Sequence, residues 1–296
     1  MRRAILASSI LLLTAFASAN AEVIRKGFNV AEGGTLTLEA DTGDVKVVSG
    51  GSGVAVEITR NGAAEELRNN EITFDQSGND VTIRSRYENG RWFNWTRNLK
   101  IHYNVRVPSH YNVKLSTSGG DVDLGDLTGN ANVHTSGGDV KIAHINGEVF
   151  ARTSGGDLDI ENSSGPVDAK TSGGSIDIGR AGATVLAHTS GGSIRIKEAL
   201  DAIDASTSGG SIHARLGRQP HADSRFSTSG GDVVVEIPGN LSASVDAHSS
   251  GGGIETDVPV TIMGRKNEDT LIGTIGSGGP KLVLRTSGGG ISLRRG

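Results

Sequence analysis

Aspartates recur at a fixed spacing through the middle of this chain. Asp121, Asp139 and Asp157 lie 18 residues apart, and Asp123, Asp159 and Asp177 occupy the next alternate positions. Unit charges stacked at strand spacing repel by roughly 1 kcal/mol even in water, so a bound cation is the chemistry such a stripe invites. Glycine-rich repeats that bind calcium follow G-G-x-G-x-D-x-U-x. Here Gly119-Gly120 is followed by Asp-Val-Asp-Leu, which puts neither glycine nor aspartate where that pattern needs them. Lys141 interrupts one column, and serine replaces aspartate in the other from Ser175 onward. The departures predict a solvated acidic face with no metal site and no cofactor.

A second column with the same period is basic: His134, Arg152, Lys170 and His188. Such a stripe suits anionic glycans or phosphates. It is small against a formal charge of −4, which becomes −6 when the two arginines near the start are removed with a leader. Nucleic acid is therefore not an expected partner. Six of the eleven aromatics fall between Tyr87 and Tyr111, around Arg91-Trp92-Phe93-Asn94-Trp95-Thr96-Arg97. Tryptophans flanked by arginines suit sugar stacking, a membrane interface or a partner's groove. They suit equally a cover over the end of a repeat array. Arg91, Trp92, Phe93, Trp95 and Arg97 are the candidate ligand contacts.

Catalytic signatures are missing. The chain has no G-x-S-x-G elbow, no H-E-x-x-H, no Walker A loop and no G-x-G-x-x-G opening a helix. Serine, histidine and aspartate are plentiful, but repetition spreads them along ladders, whereas a catalytic site needs unlike residues meeting once. No enzyme activity is expected.

The elements that carry these columns are set by a repeat. Thr-Ser-Gly-Gly begins at Thr117, Thr135, Thr153, Thr171, Thr189 and Thr207, each 18 residues after the last. It returns at Thr228, as Ser-Ser-Gly-Gly at Ser249, and finally at Thr286. Between markers run two alternating segments, such as Val140/Ile142 and Val149/Ala151, and period two is the mark of a half-buried strand. Each repeat is thus two strands and two corners, with Gly-Gly expected to supply positive φ at one corner. Only stacking can bury the apolar faces. The fold class is all-β: a parallel β-solenoid of 18-residue, two-strand rungs, about 4.8 Å apart and expected right-handed. The threonines should form a ladder that bonds along itself or to the corner backbone. The thin core should exclude large aromatics.

The flanks are less regular. Met1-Arg2-Arg3, an apolar run to Phe16 and Ala19-Asn20-Ala21 read as a secretory signal peptide cut after Ala21. No later segment is long and apolar enough to span a bilayer. The absence of cysteine removes disulfides, thiol chemistry and a lipoprotein anchor. Residues 22–112 read as an irregular β-rich region or first degenerate rungs, with one short helix over Ala63–Asn70. Residues 113–257 are the regular solenoid, and 258–296 a closing loop or hairpin with the last rung.

Val105-Arg106-Val107-Pro108 leading through Val113-Lys114-Leu115 into Thr117-Ser118-Gly119-Gly120-Asp121-Val122 is a familiar arrangement. So is Gly273-Thr274-Ile275-Gly276-Ser277-Gly278-Gly279-Pro280 followed by Leu282-Val283-Leu284 and the final marker. Together they resemble the bacterial "putative adhesin" domain-of-unknown-function family, and cover most of the mature chain. The resemblance implies a β-solenoid, export and binding, and it brings no catalytic residues. The reading is an exported, non-enzymatic, adhesin-like protein of the cell envelope, in the periplasm or at the surface. Its partner would be an envelope component, a glycan or a protein. A carbohydrate-active β-helix enzyme of the polysaccharide lyase type is the alternative, although uniform 18-residue rungs leave no room for cleft-forming loops. A purely structural spacer is the other.

Overall fold

The computed structural model describes residues 21–87 and 99–296, with the side chains of 264–266 left out. Residues 1–20 of the expected leader and the aromatic run Arg91–Arg97 lie outside the described residues. Two sheets of 14 strands each enclose one continuous apolar core. A typical rung places Val149–Arg152 in sheet B, turns at Thr-Ser-Gly-Gly, and places Leu158–Ser163 in sheet A. Successive rungs pair in parallel and in register, Ala151 beside Ala169 in sheet B and Ile160 beside Ile178 in sheet A. The 18-residue period is therefore one circuit of a β-solenoid. Side chains alternate between core and solvent along Val149–Arg152, and along Leu158–Ser163 until two outward residues, Glu161 and Asn162, precede buried Ser163.

The corner explains the marker. Each threonine hydroxyl donates to the carbonyl of the second glycine one rung earlier, from Thr117 to Gly43 through Thr135 to Gly120 and onward, at 2.7–3.0 Å. Ser249 does the same to Gly289. The expected role of the glycines needs correction. None of the Thr-Ser-Gly-Gly glycines has positive φ. The second one is required because a Cβ there would fall onto the backbone of the rung beneath, as at Gly138 over Gly120 and Gly156 over Gly138. Positive φ is used at the opposite corner, where Gly129 sits at +143°.

The core is narrow where Ala151, Ala169, Ala187 and Ala205 face Ile142, Ile160, Ile178 and Ile196. It does admit an aromatic. Phe226 is fully buried, one rung beyond the rung that sets Ala205 in one sheet and Ala214 in the other. Two small side chains in one layer leave the volume that a phenyl ring can take.

At both ends the order in space departs from the order in sequence. The rung made by Thr35–Ala40 and Asp44–Ser49 lies between Asn112–Thr117/Val122–Leu124 and Asp80–Tyr87/Lys100–Val107. Beyond it, Val54–Asn61 and Ala21–Phe28 add antiparallel to sheet A, and Asn70–Ser77 to sheet B. The helix is Ala64–Asn69. At the other end, the last strands in the chain, Lys281–Thr286 and Ile291–Arg295, insert between Ser224–Thr228/Val233–Ile237 and Ala243–Ser249/Ile254–Thr256. The hairpin Thr261–Lys266/Thr270–Ile275 then closes sheet B antiparallel. Among the described residues, Ala21–Phe28, Asn70–Ser77 and the closing hairpin are thus antiparallel additions, the kind of atypical end that terminates a repeat array.

Candidate functional site

The acidic column is a backbone device. The Oδ1 of Asp44 accepts the N–H of Asp121, Asp121 that of Asp139, Asp139 that of Asp157, and Asp157 that of Ser175. Ser175, Ser193 and Ser211 continue with their hydroxyl oxygens, and Asp232 hands the series to Gly290. Each side chain satisfies the strand-entry N–H of the next rung, so an oxygen acceptor is required and a charge is not. Serine can therefore replace aspartate without breaking the series. The neighbouring column is partly neutralised by Lys46, 2.8 Å from Asp123, and by Lys141, which pairs in register with Asp123 and Asp159. Among the described residues, no group of three or more His, Asp or Glu side chains is arranged to hold a metal ion.

Sheet B carries the basic column as the spacing implied: His134 beside Arg152, Arg152 beside Lys170, Lys170 beside His188. Two residues earlier on each strand runs a parallel outward column, Asn132, Phe150, Asp168 and Leu186. Leu186 is 37% exposed and Phe150 half-buried, two apolar residues in this outward column. Beside this column, toward the second corner, a groove of about 640 Å³ crosses the rungs from Thr35 to Leu186. The Arg152 guanidinium lies 4.1 Å from the centre of the Phe150 ring, within cation–π range. Asp168 sits between the two cations, 3.2 Å from Lys170 Nζ and 3.8 Å from Arg152. One carboxylate is thus shared by two cations beside an apolar step. Arg152 Nε is buried without a hydrogen-bond partner, and buried Asp168 Oδ1 has the Lys170 ion pair but no well-aligned hydrogen bond.

Other convergences lack a reactive member. His144 Nδ1 lies 3.0 Å from Asp126 and 3.5 Å from Glu161 at the second corner of sheet A. The nearby hydroxyls of Ser163 and Ser164 are committed to Gly147 O and Asn146 Oδ1, so neither is set up as a nucleophile by the imidazole. Buried phenols serve packing. Desolvation raises the Tyr103 hydroxyl above the ordinary phenol range, and the same cause lifts Tyr111 to about 12. Tyr103 donates to Thr42 O and Tyr111 to Asn79 O.

The candidate contacts Arg91, Trp92, Phe93, Trp95 and Arg97 lie outside the described residues, in the stretch that joins Asp80–Tyr87 of sheet B to Lys100–Val107 of sheet A. What the sequence reading passed over is the Asn132-to-Leu186 column. Its signal was available in Phe150 and Leu186, two apolar residues at positions whose strand alternation points outward.

Comparison with known proteins follows from this geometry. A family model described as Toastrack DUF4097 matches residues 34–294. Among curated proteins, none matches the chain. Several solved structures are similar along nearly the whole length. A "putative adhesin" from Bacteroides fragilis is 13% identical, covering 92% of this chain and 97% of its own, with a TM-score of 0.46. A "putative lipid binding protein" from Parabacteroides distasonis is 12% identical over 94% and 97%, with a TM-score of 0.36. A "putative cell adhesion protein" from Clostridium sporogenes is 10% identical over 93% and 100%, with a TM-score of 0.27. At such identities and scores these likenesses carry no argument about function. Among the described residues, no helix is long and apolar enough to cross a membrane.

Proposed function

The chain belongs to the Toastrack DUF4097 family, and from that premise we propose that it is an exported, non-enzymatic, adhesin-like protein of the cell envelope that binds through the outer face of sheet B. The observation that carries the reading is the groove beside Phe150 and Leu186, with the Arg152–Asp168–Lys170 cluster on its flank. The column from Asp121 to Ser211 on sheet A, by contrast, is engaged by backbone N–H groups that the fold itself supplies. On sheet B Phe150, half-buried, and Leu186, 37% exposed, present apolar side chains to solvent on a rigid, regular support, the kind of feature that marks an interaction site. The signal peptide supports export, to the periplasm or the cell surface.

Two measurements test this. The purified mature protein should sediment with native envelope or polysaccharide and release no product from it. Replacing Phe150 and Leu186 together by alanine should abolish sedimentation while leaving the melting temperature within a few degrees, because both side chains point outward. Unsaturated uronate products from a polyuronate panel would instead favour the lyase reading. Replacing Trp92 and Trp95 by alanine separates the aromatic run from the sheet face. If the run only covers the solenoid end, stability falls and binding persists.

A further inference from the structure

The groove on sheet B has a direction and a mixed charge, with Lys114, Glu148 and Asp168 in its lining and Arg152 and Lys170 on its flank. It crosses successive rungs, so a linear polymer lying in it would run along the solenoid axis and meet the same backbone register every 4.7–4.9 Å. Phe150 and Leu186 are two rungs apart, about 10 Å; the Phe150 ring is a flat step of the kind that the C–H face of a sugar ring packs against, and Leu186 adds an aliphatic contact. Two cations, Arg152 and Lys170, stand beside those steps. His134, Arg152, Lys170 and His188 line up parallel to the groove, one residue per rung. In the centre, Asp168 holds a carboxylate between Arg152 and Lys170, a position that a ligand's carboxylate can compete for. Resting on the reading of this face as a binding surface, we propose that its ligand is an acidic polysaccharide strand. Sugar faces pack on Phe150 and Leu186, and ring carboxylates pair with Arg152 and Lys170, displacing Asp168 from the pair.

Arginine suits the role because its planar fork takes a carboxylate with two parallel hydrogen bonds, and its place over Phe150 limits the geometries it must give up on binding. Asp168 has two effects in the free protein. It keeps two like charges on adjacent strands from repelling, and it weakens binding of an incoming anion. Removing its charge should therefore strengthen binding of an acidic chain and leave a neutral chain unaffected.

The experiment is calorimetric titration of the full mature chain with a size-defined oligogalacturonate, with a neutral cello-oligosaccharide of equal length, and with vesicles rich in anionic phospholipid. The acidic oligosaccharide should bind, and more weakly as salt is raised. Asp168→Asn should tighten it by roughly threefold. Arg152→Glu with Lys170→Glu should weaken it by about tenfold or more. Neither set should alter the neutral ligand. The assignment is overturned if the neutral chain binds as well as the acidic one, if only the vesicles bind, or if the charge variants change nothing. In those cases envelope binding that still depends on Phe150 and Leu186 keeps sheet B as the binding face with another ligand. Loss of that dependence as well removes both.

Discussion

Residue identity in the repeat is dictated by what lies one rung below. Gly156 shows it sharply, because a methyl group there would meet the Gly138 carbonyl, whereas the first glycine of the marker at Gly119 has open space around its Cβ direction. Gly156→Ala is expected to cost about 1–3 kcal/mol by forcing the corner apart. Gly119→Ala should stay within about 0.5 kcal/mol. The two midpoints in urea, at equal m-value, check this. The aspartate column makes a finer distinction between charge and hydrogen bonding. Asp139 accepts the Asp157 N–H at 2.9 Å, the task that Ser175, Ser193 and Ser211 perform in later rungs. Asp139→Ser should be nearly neutral and Asp139→Ala should lose about 1 kcal/mol. Equal losses would mean that charge, and not the acceptor, is what the position needs.

At the scale of elements, the informative places are where a rung lengthens. The marker spacing grows from 18 to 21 residues between Thr207 and Thr228, and the extra chain is the irregular stretch 217–223 after Ile212–Leu216. Asp201 anchors it. Its carboxylate accepts the N–H groups of Ala202 and His221, each at 2.8 Å, and approaches the His221 ring at 3.2 Å. Burial alone would raise this acid, but those hydrogen bonds outweigh it and hold the carboxyl below the ordinary range. A depressed folded-state pKa contributes stability above the unfolded value near 4 and loses it as pH falls through the folded value. Asp201→Asn should therefore unfold earlier at pH 7, by about 1 kcal/mol. The gap to the parent should close as pH is lowered below about 4, which a series of thermal melts would follow.

On the scale of the whole molecule, the two ends are woven and the middle is simply stacked. The regular rungs touch only their sequence neighbours, so their contributions add along one dimension. The C-terminal strands behave differently, since Lys281–Thr286 and Ile291–Arg295 each pair with strands on both sides. Truncation after Ser277 would remove the rung on which the outermost one rests. Hydrogen exchange should then lose protection in Ala243–Ser249 and Thr270–Ile275, both still present in the chain, while Leu158–Ser163 stays protected. If only the residues next to the cut exchanged faster, the inserted rung would be dispensable.

The chain alone specifies the rung: its 18-residue length, its two strands and two corners, the inward columns and the threonine ladder. These follow from alternation and spacing, which are local and repeated, so a single pattern in the chain is enough to read them. Three things needed the tertiary structure. The second glycine of the marker is fixed by close approach between rungs, a contact with the neighbouring rung that spacing alone does not distinguish from turn conformation. The inserted last rung depends on which edges pair, and in a sheet of similar strands the sequence order does not choose among them. The groove exists because Phe150 and Leu186 share an outward column beside Asp168, Arg152 and Lys170. Each of those residues read singly is an ordinary surface side chain, and only the parallel register assembles them into one face.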